Sequence, residues 1–423
     1  MKTVVDDFKK LCEIPHCSFE TAQMREFLAD FARSCGFSVS IDDVFNVHAV
    51  KGEPKICLQS HYDMVCVGEA PHLRLIEENG VLRAKNSTLG ADNGIGVAIM
   101  MGAMREFENL ECLFTNDEEV GLIGANGFKG KILSPNLLNL DSEEDDRVIL
   151  GCAGSINVSA KIGVQSFKKS GFVYEARVSG LPGGHSGTQI HQNIPNALKI
   201  LGKFLALNGC EIVSIDGGER SNSIPANAVA VVVSRKPLES SESVKVKKIE
   251  LNEAEVLENS DKISALINSF AQGVRSYDVE LGAVKESINL STVRQTDECV
   301  EFDFFGRAMS EEGVENLGFE TITLARSLGF ETSVTERSTD WKPVISAFSE
   351  LVLEELKKLK PQAKFAAVHA GLECGVLVAK QPSLQACSIG PNIYSPHSVN
   401  ERCELDSVEL ISTVVKNIVE KFQ

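Results

Sequence analysis

The sequence predicts an α/β protein with a mixed sheet flanked by helices, interrupted by an inserted α+β domain. Three observations carry that expectation. Strand-like and helix-like runs alternate through the first third of the chain. At 423 residues the chain is too long for one ordinary core. Short motifs rich in His, Asp and Glu follow the early strands, and a similar one surrounds His397 near the end. His397 can join them only if the last part of the chain returns to the first domain.

The N-terminal stretch MKTVVDDFKKLCEIPHCSFE reads as an amphipathic helix, because acids interrupt any apolar core of an export signal. Val44–Val50 and Ile56–Gln59 read as strands. Gly94–Arg105 reads as a buried helix, since Ile95, Val97, Ile99, Met100 and Met101 leave almost no polar face. Leu110–Thr115 is a predicted strand, Val120–Phe128 a helix, and Asn136–Leu140 another strand. After Gly154 the pattern changes. Val158–Ile162 and Val173–Val178 alternate as strands do, Pro195–Leu207 reads as a helix and Ala226–Ser234 as a strand. Lys236–Asn259 carries dense charge and reads as a solvated segment containing a helix. Around Thr332–Lys342 the chain returns, with a helix at Val344–Leu359, a strand at Leu384–Ile389 and a closing helix at Val408–Phe422. The expected domains are therefore 1–154 with 336–423, and an insertion at 155–335.

Composition narrows the function. Hydrophobic residues make up 43% and charged residues 24%, the profile of a soluble globular protein. A net charge of −17 repels phosphate backbones and argues against a nucleic-acid partner. No run of 18 apolar residues occurs, so no membrane span is expected. The 12 cysteines follow no C-x-x-C pattern, and with no export signal they fit a reducing cytoplasm.

The motifs S-H-Y-D-M-V, L-G-A-D-N-G, D-E-E-V-G, L-D-S-E-E and S-P-H-S present His61, Asp63, Asp92, Glu118, Glu119, Asp141 and His397. Imidazoles with carboxylates suit Zn²⁺ and its neighbours. His61, Glu118, Glu119 and Asp141 follow predicted strands, where ligands gather in open α/β sheets. Taken alone, Asp92 before a helix is as well explained as an N-cap, and Glu118–Glu119 as an exposed loop pair. Together they read as a two-metal hydrolase. The Gly-rich stretch around Asp92 lacks the G-K-[ST] of a phosphate loop. Asp63, two residues beyond His61, is placed to accept the second imidazole N–H. Histidines 16, 48, 72 and 191 read as structural or surface residues.

The stretches I-P-H-C-S, H-Y-D-M-V, N-S-T-L-G-A-D-N-G-I-G, T-N-D-E-E-V-G, L-D-S-E-E, G-C-A-G-S, G-G-H-S-G, S-N-S-I-P-A-N-A, H-A-G-L-E-C-G and S-P-H-S-V-N-E-R span residues 14 to 402. In them the chain resembles the M20 metallopeptidases, most closely the aminoacyl-histidine dipeptidase (peptidase D) branch. It differs in carrying Ser60 and Tyr62 around the first histidine and a lid that looks short. The resemblance implies a phosphorylase/peptidase-like zinc catalytic domain with an inserted lid and dimerisation domain. It implies that His61, Asp92 and Asp141 hold one metal, and Asp92, Glu119 and His397 the other. Asp92 would bridge, with a cis peptide to Asn93. Glu118 would be the general base acting on a metal-bound hydroxide, and then the acid to the leaving amine. His185, Asn222 and Arg307 would bind substrate; a solvated Arg at a strand end is an alternative for Arg307. His369 and Glu373 receive no role. The expectation is a cytoplasmic dipeptidase with two Zn²⁺ (or Mn²⁺ or Co²⁺), acting on small peptides of the Xaa-His type, with a homodimer formed through the lid. A tripeptidase, a carboxypeptidase, an N-acyl amino-acid deacylase or a non-catalytic binding protein are the alternatives.

Overall fold

The computed structural model describes residues 3–279 and 282–423. The chain divides into two compact units: Met1–Cys152 with Trp341–Ala367 and Leu372–Gln423, and Ala153–Asp340 with Val368–Gly371.

The first unit is built on an eight-stranded mixed sheet. Its spatial order is Ser38–Ile41, Val47–Lys51, Leu110–Thr115, Ile56–His61, Asn136–Asn139, Gln385–Ser388, Arg147–Cys152 and Lys364–Val368. The centre is parallel: Ile56–His61 pairs in parallel with Leu110–Thr115 and Asn136–Asn139, and the latter with Gln385–Ser388. Every residue of the first three of these strands is buried, as parallel strands covered on both faces require. Three carboxyl ends therefore point the same way, which is the arrangement that gathers ligands.

The helix Ala91–Glu106 packs against Ile56–His61 and against the helix Val4–Leu11. A methyl at Gly96 would collide with Ser60 Oγ, Asn93 Oδ1 and the Leu140 carbonyl, so the glycine lets this helix approach the strand ends. The helices Ala347–Leu359 and Leu405–Glu420 supply Phe348, Val352, Ile411 and Val415 to the same core. A small four-stranded sheet, Ile393–Tyr394, Arg402–Glu404, Val81–Ala84 and Leu75–Glu78, frames the segment carrying His397.

The second unit is an antiparallel sheet in the order Lys245–Ile249, Phe172–Val178, Ala228–Ser234, Glu211–Gly217, Ala283–Gln295, Cys299–Ala308, Gly154–Gly163 and Glu331–Ser338, with Gly273–Asp278 also paired to Ala283–Gln295. The helices Ala197–Leu207, Ser260–Ser269 and Glu311–Ser327 contribute Leu198, Leu266 and Leu317 to its core.

Several expectations are corrected. The helix read at Val120–Phe128 is only Ile123–Gly127, because Gly121 and Leu122 take left-handed φ of 109° and 57° and make a turn first. Lys236–Asn259 holds the strands Lys245–Ile249 and Glu253–Leu257 rather than a helix. Val244 and Val246 alternate with the exposed Lys245 and Lys247, the period of an edge strand that charge protects. The middle unit begins at Ala153, ends at Asp340 and adds Val368–Gly371, against the expected 155–335. Pairing of Ser155 with Ser338 and the Ala153 N–H bond to the Val368 carbonyl explain the difference. Two cysteines are not free thiols: Cys17 and Cys66 form a disulfide, Cα to Cα 5.6 Å. No helix among the described residues is long and apolar enough to cross a membrane.

Candidate active site

His61 is the last residue of the strand Ile56–His61; Glu118 and Glu119 follow the end of Leu110–Thr115, and Asp141 that of Asn136–Asn139. The ligand atoms of His61, Asp92 and Asp141 lie within 4.8 Å of one another, and so do those of Asp92, Glu119 and His397. The two sets share Asp92. Its Oδ1 is 3.2 Å from His61 Nε2 and its Oδ2 is 3.2 Å from His397 Nε2. His61 Nε2 is also 3.3 Å from Asp141 Oδ1, and His397 Nε2 is 2.9 Å from Glu119 Oε1. That last contact has ion-pair distance without hydrogen-bond geometry, since Glu119 Oε1 has no hydrogen-bond partner. His61, Glu118 and Glu119 form a third close set. The Asp92–Asn93 peptide is cis.

The tautomer of His61 shows what this cluster wants. Its Nδ1 donates to the Asp63 main-chain carbonyl at 3.0 Å. Nε2 then faces two carboxylate oxygens, which push the His61 pKa up despite its burial; in the neutral ring that atom is a lone pair, an arrangement that suits a bound cation. Burial first, then mutual repulsion, push the carboxyls of Glu118 and Glu119 up, and Asp141 up to about 7. His397 is pushed up to about 12, because Asp92 and Glu119 outweigh a burial that opposes its charge. A group of acids that repel one another around two imidazoles fits divalent ions held by oxygen and nitrogen.

Asp63 is buried and does more than the sequence suggests. The His61 ring N–H goes to its main chain, with its carboxylate Oδ1 at 3.5 Å. The carboxylate instead accepts the Glu118 N–H at 2.9 Å, the Glu119 N–H at 3.3 Å and the Ser18 hydroxyl at 2.8 Å. It fixes the turn from which Glu118 and Glu119 project.

Two further acids went unassigned in the sequence. Glu373 is fully buried, accepts Thr115 Oγ1 at 2.6 Å and is also bonded by Gln59, whose Oε1 accepts Asn139 Nδ2 at 2.6 Å. Asn139 Oδ1 in turn accepts the Asp141 N–H at 3.1 Å. Thus one network ties together the ends of the three strands that carry the acids and His61. Burial pushes Glu373 up to about 7. Glu401 is buried against the turn before Asp92. The H-A-G-L-E-C-G and S-P-H-S-V-N-E-R motifs contain both residues, and membership of those motifs is the only signal the sequence offers for either.

In the second unit, His185 stands on the short strand Gly184–His185, paired with Ser223–Ile224. Its Nδ1 accepts the Thr188 N–H at 3.0 Å and the Gly187 N–H at 3.3 Å, so Nε2 carries the proton and is a donor. Asn222 is exposed, and its carbonyl accepts the Ser186 N–H at 2.9 Å. Arg307, near the end of Cys299–Ala308, is 6% exposed, against the solvated alternative, and its guanidinium lies 4.8 Å from the Phe305 ring centre. A methyl at Gly187 would meet the His369 carbonyl, Arg307 Nε and His185 Cε1, so Gly187 allows these three to converge. His369 Nε2 is 2.7 Å from Ser287 Oγ; burial, helped by the Arg307 charge, lowers its pKa to about 3. Of the remaining histidines, His16 bonds the Ile14 carbonyl, His48 bonds Glu111, and His72 and His191 are exposed.

The model of the family described as Peptidase family M20/M25/M40 matches residues 57–421. The chain is 30% identical to the cytosol non-specific dipeptidase of Escherichia coli (strain K12), over 98% of this chain and 97% of that one. The crystal structure of aminoacylhistidine dipeptidase from Vibrio alginolyticus superposes with a TM-score of 0.79 at 26% identity, covering 99% of this chain and 96% of that one. A tripeptidase from Staphylococcus aureus subsp. aureus mu50 has a TM-score of 0.60 at 15% identity, covering 99% and 97%, a likeness of fold alone.

Proposed function

The chain belongs to peptidase family M20/M25/M40 and is a hydrolase of peptide bonds, and from that premise we propose that it is a dipeptidase with two metal ions at one centre. The carrying observation is the pair of ligand sets that share Asp92, one carboxylate oxygen turned to each histidine. His61, Asp92 and Asp141 would hold one ion, and Asp92, Glu119 and His397 the second. Zn²⁺ is the proposed ion; Mn²⁺ and Co²⁺ accept the same donors. When bound, the ions polarise the scissile carbonyl and lower the pKa of water.

Glu118 supplies the proton traffic. It adjoins the ligand Glu119, and its main-chain N–H is held by Asp63 Oδ1. No hydrogen bond occupies its carboxylate among the described residues, which leaves it available to water. Burial and the neighbouring carboxylates raise its basicity, and as a carboxylate beside the bound ions it would take a proton from water and return it to the leaving amine nitrogen. His185 Nε2–H is the proposed donor to the developing oxyanion. Arg307 and Asn222 are proposed to hold the free carboxylate of the substrate, for which a guanidinium fork is suited.

The similarity to an aminoacylhistidine dipeptidase supports Xaa-His dipeptides as substrates, and the E. coli relative supports cytoplasmic residence. In a reducing cytoplasm the Cys17–Cys66 pair faces a thiol pool. Homodimerisation through the second unit is part of the proposal. The test is to assay metal-loaded protein against Xaa-His dipeptides, other dipeptides, a tripeptide and an N-acetyl amino acid. Cleavage of dipeptides foremost is expected. Preference for the tripeptide or the N-acetyl compound would replace the substrate assignment, and no cleavage of any would favour a binding protein.

A further inference from the structure

We infer that Glu401 is a positioning residue for Asp92, tying the turn that presents the shared carboxylate to the segment that presents His397. The inference rests on the two-ion reading above. Glu401 is 2% exposed. Its Oε2 accepts the main-chain N–H of Leu89 at 2.7 Å and of Gly90 at 3.1 Å. Its Oε1 accepts those of Ala91 at 2.8 Å and, more weakly, of Asp92 at 3.4 Å. Four consecutive donors thus converge on one carboxylate.

These donors need an outside partner. They lie in the turn that opens Ala91–Glu106, where Asp92 and Asn93 depart from helical angles before the regular helix begins, so these N–H groups have no acceptor within the helix. The N-cap is Gly90, which has no side chain to serve them. Glu401 does so from 309 to 312 positions further along the chain, and its charge sits at the positive end of the helix. Its own place is fixed. The Glu401 N–H bonds the Ser398 carbonyl at 3.1 Å, and the strand that follows, Arg402–Glu404, pairs with Val81–Ala84. His397 stands four residues earlier in the same segment. A carboxylate gripping the turn through both oxygens sets its position and its rotation. It thereby sets the direction of Asp92 Oδ1 toward His61 and of Oδ2 toward His397.

The test is metal titration of Glu401→Gln in the full chain, read by calorimetry with Zn²⁺ as the probe. The amide matches the shape but turns one acceptor into a donor facing N–H groups. Because Asp92 serves both sites, both affinities are expected to weaken by about tenfold or more, the range for a group that orients a ligand. Glu401→Asp, which keeps the charge on a shorter arm, is expected to fall between the variant and the wild type. Glu404→Gln is the structural control. Glu404 accepts Asn392 Nδ2 at 2.8 Å and the Tyr394 hydroxyl at 3.0 Å in the same segment, and its loss is expected to lower the melting temperature with both affinities unchanged. Wild-type affinity at both sites in Glu401→Gln overturns the inference, as does a loss confined to one site. If Glu401→Gln does not fold, Glu401→Asp decides: weaker binding at both sites supports the inference, and wild-type binding overturns it. Wild-type protein that binds fewer than two ions would instead sink the two-ion reading itself.

Discussion

In the first unit, His61, Glu119 and Asp141 leave the ends of fully buried parallel strands, and each is held from behind by polar groups such as Asp63, Asn139 and Glu373. In the second unit, His185 rides on the two-residue strand Gly184–His185, Asn222 is exposed, and only Arg307 comes from a long strand. The first region fixes its groups by a buried network; in the second, Gly187 leaves the room in which His185, Arg307 and the His369 carbonyl converge. On the roles proposed above, the difference follows the tolerance of the chemistry. Metal ligands must hold their distances within a few tenths of an ångström, whereas a peptide's carboxylate can be met by adjustable donors.

The sharpest way to break this comparison is at Glu118. Glu118→Gln is expected to keep both ions bound while kcat falls by ~10² or more, since a positioned base contributes on that scale. Metal content and turnover must be measured on one sample. Lost metal would make Glu118 a ligand, in line with its close set with His61 and Glu119. Normal turnover would remove the base from the mechanism.

A smaller effect is expected in the second unit. Arg307→Ala should raise KM roughly tenfold or more for dipeptides with a free carboxylate, with ion binding unchanged. The same substitution should matter little for a C-terminally amidated analogue. Equal effects on both substrates would show that Arg307 does not read the carboxylate.

The smallest concerns His369 and pH. Its folded pKa is lowered to about 3 by burial and by Arg307, while the unfolded chain titrates near the ordinary value of 6.5. Between these values the unfolded state holds the extra proton, so stability is complete above 6.5 and is lost as pH falls. From pH 7.5 to 5.5 the wild type should lose about 1 kcal/mol more than His369→Gln. Parallel losses in denaturant melts would contradict a neutral buried imidazole.

How much of this could be read in the sequence depends on the kind of contact. His61, Glu118, Glu119 and Asp141 each close an apolar run, so their place at strand ends was legible. Asp92 and His397 needed their motifs, because a lone Asp before a helix is equally an N-cap. Glu401 was hidden, since its partners are main-chain N–H groups more than 300 positions away, and a main-chain donor has no letter in the sequence. Gln59 and Asn139 look like blemishes in buried strands until their mutual bond is seen. Dense charge through Lys236–Asn259 reads as a solvated segment with a helix and masks the alternation of the edge strand Lys245–Ile249. Cys17 and Cys66, 49 positions apart, carry no spacing signal.

The most direct test of the two-ion centre is the metal count of purified, ion-saturated protein beside that of His397→Ala. His397 faces only the Glu119 side of Asp92, while His61 and Asp141 face the other. Two equivalents are expected in the wild type and close to one in the variant, with dipeptide hydrolysis lost. A single equivalent in the wild type, or an unchanged count and rate in the variant, would contradict it.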